Sequence, residues 1–339
     1  MKNGKIIKTE EELDLEKLEA GEIHRIHMHL TDNSLGVPWR VPIVVIKGVQ
    51  EGPVLGITAA LHGNELNGIS NIFKLIEEID PKKLKGTLVM VPISNVPGYL
   101  MNQRTFSDGV DLNRIMPGKD KGATSDLYAY YFTKKIISKL DYLLDLHTAS
   151  HGRVNSLYIR ADLDIEETRT LAYLQNPQII VKKHDEDGTL RSWANDNGVH
   201  AITVEIGNAN AFQQSLIGES HEGILNTLRY LEMIEGEVED MIADATVCDR
   251  SYWIYSEKGG IVDTLPKLAD FVKKDQIIAK VYDVFGQVRE EVRADRSGVV
   301  IGKNVRPNCD AGTRILHLGV SIIEPISENI PGHDDFEEN

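Results

Sequence analysis

The chain has 339 residues, 41% hydrophobic and 26% charged, with a formal net charge of -15. That length suits a large catalytic core with one small appended domain, and the composition is that of an ordinary soluble globular protein. The acidic excess argues against a nucleic-acid partner, because phosphates would be repelled. The two cysteines, Cys248 and Cys309, have no CxxC spacing, so both are expected as buried thiols rather than metal ligands. The first 22 residues are charged throughout and lack the apolar stretch of a secretory signal. No run reaches the ~18 apolar residues of a membrane span. A cytoplasmic protein without a membrane partner is the expectation.

Residues 1–40 read as an N-terminal extension. The stretches 41–48 and 53–61 are short, β-branched and apolar, the pattern of strands buried on both faces. From residue 64 to 80 the apolar spacing turns helical and stops before Pro81. A strand at 86–94 and an amphipathic helix at 124–140 follow. Further strands are expected at 141–148, 156–161, 177–183 and 200–207, with helices at 164–175 and 221–235. This alternation predicts an α/β fold with a mostly parallel or mixed sheet flanked by helices. After about residue 249 the texture becomes short strands punctuated by Gly, Pro and Asp, which predicts a small all-β domain. The domains are therefore a catalytic unit at 1–246, a β-domain at 247–330 and an acidic tail at 331–339.

The chemistry-bearing residues sit where strands end. His62-Gly63-Asn64-Glu65 follows an apolar strand and opens a helix, so the imidazole and the carboxylate can turn to the same side. Gly63 is expected to let the backbone turn sharply between them. His147 ends another strand, and strand carboxyl ends border the ligand crevice of an open α/β sheet. Two imidazoles and one carboxylate, with a fourth position for water, make an open catalytic zinc site. A chance HxxE turn and a structural histidine are the plain alternatives at this point.

The polar, Gly-rich segment 95–118 is too long for a simple turn and reads as a functional loop. It carries Arg104, and Arg114 beside Asn113, whose donors suit a carboxylate or an oxyanion. Asp111 suits the unliganded N–H of a metal-bound imidazole. Glu205 interrupts the apolar run ITVEIG, where a charge is costly unless it is paired or lies near a metal. It reads either as a proton-transfer group or as an edge-strand residue facing solvent.

HGNE at 62–65, Arg104 to Arg114 ending in DLNR, LDLHT at 144–148 and VEIG at 204–207 together resemble the succinylglutamate desuccinylase/aspartoacylase family, a branch of the zinc carboxypeptidase-like metallohydrolases. The resemblance covers roughly residues 40 to 240. It implies one zinc ion per chain on His62, Glu65 and His147, with Asp111 supporting His62. It further implies that Arg104 polarises the scissile carbonyl and that Asn113 and Arg114 grip the substrate's α-carboxylate. Glu205 would be general base and then general acid. The implied reaction is hydrolysis of a small N-acyl amino acid, with a metallocarboxypeptidase and a non-enzymatic binding protein as alternatives.

The segment 259–300 resembles the small β-domain of such deacylases and, faintly, a biotinyl/lipoyl half-barrel whose turn at 283–286 has no lysine for a cofactor. A structural or oligomerisation role, or partial cover of the site's mouth, is expected for it, and homo-oligomerisation stays open. His151, Arg153, His184 and Arg191 are expected on the surface.

Overall fold

The computed structural model describes residues 6–150, 152–183, 188–238 and 245–323. His151, His184 and the acidic tail expected at 331–339 lie outside the described residues. A mixed sheet dominates the molecule, and at its centre the strands Lys85–Val91, Gln50–Ala59, Tyr142–His147 and His200–Ile206 run parallel side by side.

These strands form from residues that are apolar at successive positions, so both faces can be covered. In Tyr142–His147, Leu143 belongs to one buried cluster and Leu144 and Leu146 to the other. The helices Asn67–Glu78, Glu166–Leu174 and Gln214–Tyr230 cover the first face through Ile69, Leu171 and Ile224. Thr124–Lys135 and Leu190–Asp196 cover the second through Phe132 and Leu190. Each fully buried Leu or Ile here contributes about 1.5–3 kcal/mol, which makes the sheet a rigid floor.

Register decides where the site can be. Ala59 pairs with Leu146, Val204 with Leu146, and Glu205 with His147. The three neighbouring strands therefore end on one row, and the residues at or just past that row meet.

Several expectations change in detail. The helix expected from residue 64 begins at Asn67, because residues 62–65 close a turn in which the Glu65 N–H donates to the His62 carbonyl (3.0 Å). The N-terminal extension holds the strands Ile6–Glu10 and Glu22–Asp32, the latter burying Ile26, Met28 and Leu30 against Pro38–Lys47. Within the β-rich C-terminal stretch, residues 288–304 carry two strands, Val288–Arg293 and Gly298–Asn304.

The β-rich C-terminal portion has two parts. Thr246–Tyr255 pairs in parallel with Ile179–Lys182 and antiparallel with Arg314–Ile323, so the main sheet runs on into it. Gly260–Thr264, Ile277–Tyr282, Val288–Arg293 and Asn308–Cys309 form a separate four-stranded antiparallel sheet, whose Val262 and Val281 share a core with Leu316 of the main-sheet strand Arg314–Ile323. Cys248 and Cys309 are buried free thiols, and burial pushes the Cys248 thiol up to about 12. No described helix is long and apolar enough to cross a membrane.

Candidate metal centre

His62, Glu65 and His147 converge at the row of strand ends, each almost wholly buried. The Nδ1 atoms of the two imidazoles are 3.1 Å apart. His62 Nδ1 lies 3.0 Å from Glu65 Oε1 and His147 Nδ1 lies 3.0 Å from Glu65 Oε2. The far nitrogens are each held by a carboxylate: His62 Nε2 lies 3.0 Å from Asp111 Oδ1 and His147 Nε2 lies 2.7 Å from Asp145 Oδ2. With the protons on the Nε2 atoms, both Nδ1 atoms present lone pairs to each other and to a carboxylate. Three such acceptors in contact repel unless a cation lies among them.

The donor chemistry fits zinc. Metal–nitrogen bonds of ~2.0–2.1 Å place tetrahedral ligand atoms about 3.3 Å apart, close to the separations found here. Two imidazoles and one carboxylate leave a fourth position for solvent or substrate.

Local sequence explains the placement. Gly63 lies in the turn at 62–65 as expected, but not at a positive φ; what calls for glycine is that a Cβ there would lie 2.0 Å from the Gly98 carbonyl carbon. The strand-to-helix turn packs directly on the backbone of the 95–118 loop, and only glycine permits that approach. The loop is tied in turn by Asn95, whose amide donates to the Leu61 carbonyl and whose Oδ1 accepts from the Gly98 N–H. Asn67, fully buried, donates to the Ile206 carbonyl and accepts from the Gln213 N–H, joining the helix after HGNE to the end of the Glu205 strand. Gly63→Ala is accordingly expected to displace His62 and to weaken metal retention, measurable as metal content after gel filtration at unchanged secondary structure.

Arg104 lies across the centre. Its Nε donates to Asp111 Oδ2 (3.0 Å), and its Nη1 donates to Glu65 Oε1 (3.1 Å) and Ser150 Oγ (2.8 Å). Glu65 also accepts from the Thr148 backbone N–H (2.9 Å). Burial raises the Asp111 carboxyl, but His62 and Arg104 outweigh it and hold it well below the usual carboxylate range. Asn113 is buried and accepts from the Leu190 N–H, while Arg114 is exposed and donates to the Asn113 carbonyl.

His62, Glu65, His147, Arg104, Thr148, Ser150, Asn113 and Arg114 line one cavity of about 350 Å³, with Asp111 behind His62 and Asp145 behind His147. Glu205 shares it, its side chain 14% exposed, accepting from Asn155 Nδ2 (3.2 Å) with Arg160 3.7 Å away. Burial raises its carboxyl, partly offset by the charges of Arg160 and His147, and the net displacement is upward. The solvent-facing edge-strand alternative for Glu205 does not hold.

Sequence reading did not single out Asp145, although a carboxylate two residues before His147 on a strand points to the same face. Thr58 donates to its other oxygen (2.7 Å). It also left out Arg160, Tyr158, Trp253, Arg314 and His317, and placed Arg153 and Arg191 on the surface; all line the cavity. Their approach depends on pairing across distant segments, which no local spacing encodes.

The sequence profile of the succinylglutamate desuccinylase/aspartoacylase catalytic domain matches residues 51–231. The chain is 28% identical over 293 residues to an N-alpha-acetyl-L-2,4-diaminobutyric acid deacetylase of Halomonas elongata, covering 81% of this chain and 84% of that one. Among solved structures, a succinylglutamate desuccinylase from Silicibacter sp. superposes with TM-score 0.78 at 22% identity, covering 90% of this chain and 96% of its own. A product-bound ectoine utilization protein from Ruegeria pomeroyi gives 0.78 at 21% identity, covering 88% and 95%. These structural likenesses establish the fold. The family profile spans more than half of the sequence, and the chain belongs to the succinylglutamate desuccinylase/aspartoacylase family.

Proposed function

We propose that this chain is a zinc-dependent deacylase that hydrolyses the amide bond of a small N-acyl amino acid. The observation that carries the reading is the convergence of two imidazole lone pairs and a carboxylate beside a second, separately held carboxylate in one small cavity. The relative from Halomonas, named for deacetylation of an N-acetyl diamino acid, supports the reaction class. The proposed division of the chain is a catalytic domain through residue 246 and a β-domain over 247–330, supported by the separate four-stranded antiparallel sheet formed by strands between Gly260 and Cys309.

In this reading His62, Glu65 and His147 hold the zinc ion, with Asp111 and Asp145 fixing the two rings. A bound zinc supplies Lewis acidity that lowers the pKa of water and polarises a carbonyl. Glu205 takes the proton of the attacking water and delivers it to the leaving nitrogen; its raised pKa suits both halves of that transfer. Asn113 and Arg114 hold the substrate's α-carboxylate at the loop side of the cavity. Arg104 stabilises the developing oxyanion, its guanidinium kept in place by Asp111 and Glu65.

The test is a panel of N-acetyl amino acids and short blocked peptides against protein of measured metal content. Turnover of N-acetyl amino acids at about one zinc per chain is the expected result; turnover of the peptides alone would replace the reading by a carboxypeptidase. Within the panel, Arg114→Ala is expected chiefly to raise KM. Arg104→Ala is expected chiefly to lower kcat, by on the order of 10²–10³. Equal effects of the two on both constants would remove the division of labour.

A further inference from the structure

Resting on the deacylase reading, we propose that Asn155 is a positioning residue for Glu205, and that the C-terminal strand Gly298–Asn304 sets Asn155 through the bare backbone of Gly302. Glu205 shares its row of strand ends with His147, at the tip of a long and flexible side chain. Proton transfer needs one carboxylate oxygen held at the attacking water, and a displacement of about 1 Å costs on the order of 100-fold in rate. The rotamer therefore has to be fixed by a neighbour.

Asn155 is placed to do so. It is 6% exposed, lines the cavity, and donates through Nδ2 to Glu205 Oε2 (3.2 Å). The other oxygen, Oε1, lies 3.7 Å from Arg160 Nε. That guanidinium donates to the hydroxyl of Tyr158, the register partner of Glu205, at 3.1 and 2.8 Å. The two neighbours differ in kind. The charge of Arg160 favours the ionised carboxyl, whereas a neutral amide N–H can hold the carboxylate and the acid alike. A base that becomes an acid within one cycle needs an anchor of the second kind. Turned over, the amide would set its oxygen against a carboxylate oxygen, so charge decides its orientation.

The amide owes its own place to the C-terminal portion. Arg153–Asn155 is three residues long and is held antiparallel to Gly298–Asn304, with Asn155 opposite Gly302. Ser156 donates from both its N–H (3.1 Å) and its hydroxyl (3.3 Å) to the Ile301 carbonyl. Gly302 stands at an irregularity in that strand's pairing with Arg314–Ile323, a place where glycine lets another chain come close. A Cβ on Gly302 would lie 2.3 Å from Asn155 Oδ1 and 3.0 Å from the Val154 carbonyl oxygen. The amide oxygen thus rests where only glycine leaves room, and Nδ2 is turned toward Glu205.

The experiment measures kcat, KM and zinc content of the zinc-loaded full chain, of Asn155→Ala, Asn155→Asp and Gly302→Ala, and of Glu205→Gln with and without Asn155→Ala. N-acetylalanine, N-acetylglutamate and Nα-acetyl-2,4-diaminobutyrate are the probes, and the one turned over fastest is used throughout. Asn155→Ala and Gly302→Ala are each expected to lower kcat by on the order of 10- to 100-fold, with KM and zinc content little changed. Asn155→Asp keeps the shape against Gly302 but faces Glu205 with a second carboxylate at neutral pH, so it should lose at least as much. Its near-identical size keeps the test open if the alanine variants fold poorly, and wild-type kcat there overturns the proposal. In Glu205→Gln, which has no proton-transfer group left to place, Asn155→Ala should cost nothing further; a full additional loss makes Asn155 independent of Glu205 and overturns it too. A raised KM at unchanged kcat makes Asn155 a substrate contact instead, and wild-type kcat in Gly302→Ala rejects the part given to the strand. Should the wild type, fully loaded with zinc, turn over none of the probes, the deacylase reading falls by itself. Crystal structures of the wild type and Gly302→Ala then decide the positioning: a Glu205 carboxylate turned from its wild-type place supports it, and an unmoved one rejects it.

Discussion

Glu205→Gln is expected to lower kcat by about 10²–10⁴-fold while leaving the zinc content at one per chain. The amide keeps the shape of the carboxyl group and can still accept from Asn155 Nδ2, so packing in the strand His200–Ile206 should survive. What disappears is the ability to take a proton from water and return it. The acid limb of the wild-type kcat/KM profile is expected to report the same group. Removing the cation 3.7 Å away with Arg160→Met takes away a charge that favours ionised Glu205, so that limb should move to higher pH. Full activity of Glu205→Gln at unchanged zinc content would falsify the role of Glu205.

His147→Ala is expected to strip the metal and to abolish turnover, with the fold retained because the sheet on either side is held by buried Leu143, Leu144 and Leu146. Asp145→Asn separates ligation from orientation. Asp145 does not line the cavity; it fixes His147 by accepting from Nε2 and is itself held by Thr58. An asparagine in its place can offer an N–H where an acceptor is needed, turning the ring or moving its proton onto Nδ1. Zinc affinity should fall by roughly 10–100-fold, and excess zinc should restore much of the activity. Elemental analysis and zinc titration check both variants; zinc binding by His147→Ala as tight as wild type would show that the ion lies elsewhere.

The sheet, its helical cover and the cluster at its strand ends were legible because each rests on a local signal. His62 and His147 stand directly after apolar runs, and Glu205 interrupts one. The N-terminal strand Glu22–Asp32 was not read as a strand because histidines and an arginine alternate with Ile26, Met28 and Leu30, diluting its apolar content to a single half-buried face. The helix Leu190–Asp196 was hidden in a polar segment of only seven helical residues. Gly63 was read as serving the turn between His62 and Glu65, which it does; the close approach of Gly98 that requires glycine was not legible, because Gly98 is far along the chain and only folding reveals the contact. The arginine and aromatic side of the cavity was illegible for the same cause. Arg153, Trp253 and His317 meet through the pairing of segments that stand far apart along the chain, Trp253 with His317 and Arg153 with Asn304.

That pairing also bears on how molecules come and go. Thr246, Val247 and Cys248 are bonded in parallel to Ile179, Ile180 and Val181, so the C-terminal strands share a ladder with the core rather than hanging from a linker. Swinging them aside to widen the opening would break those backbone bonds within a buried sheet, a costly motion for every catalytic cycle. Traffic through the mouth therefore falls to side chains and surface loops, and turnover should respond to the bulk at that rim far more than to solvent viscosity acting on a hinge.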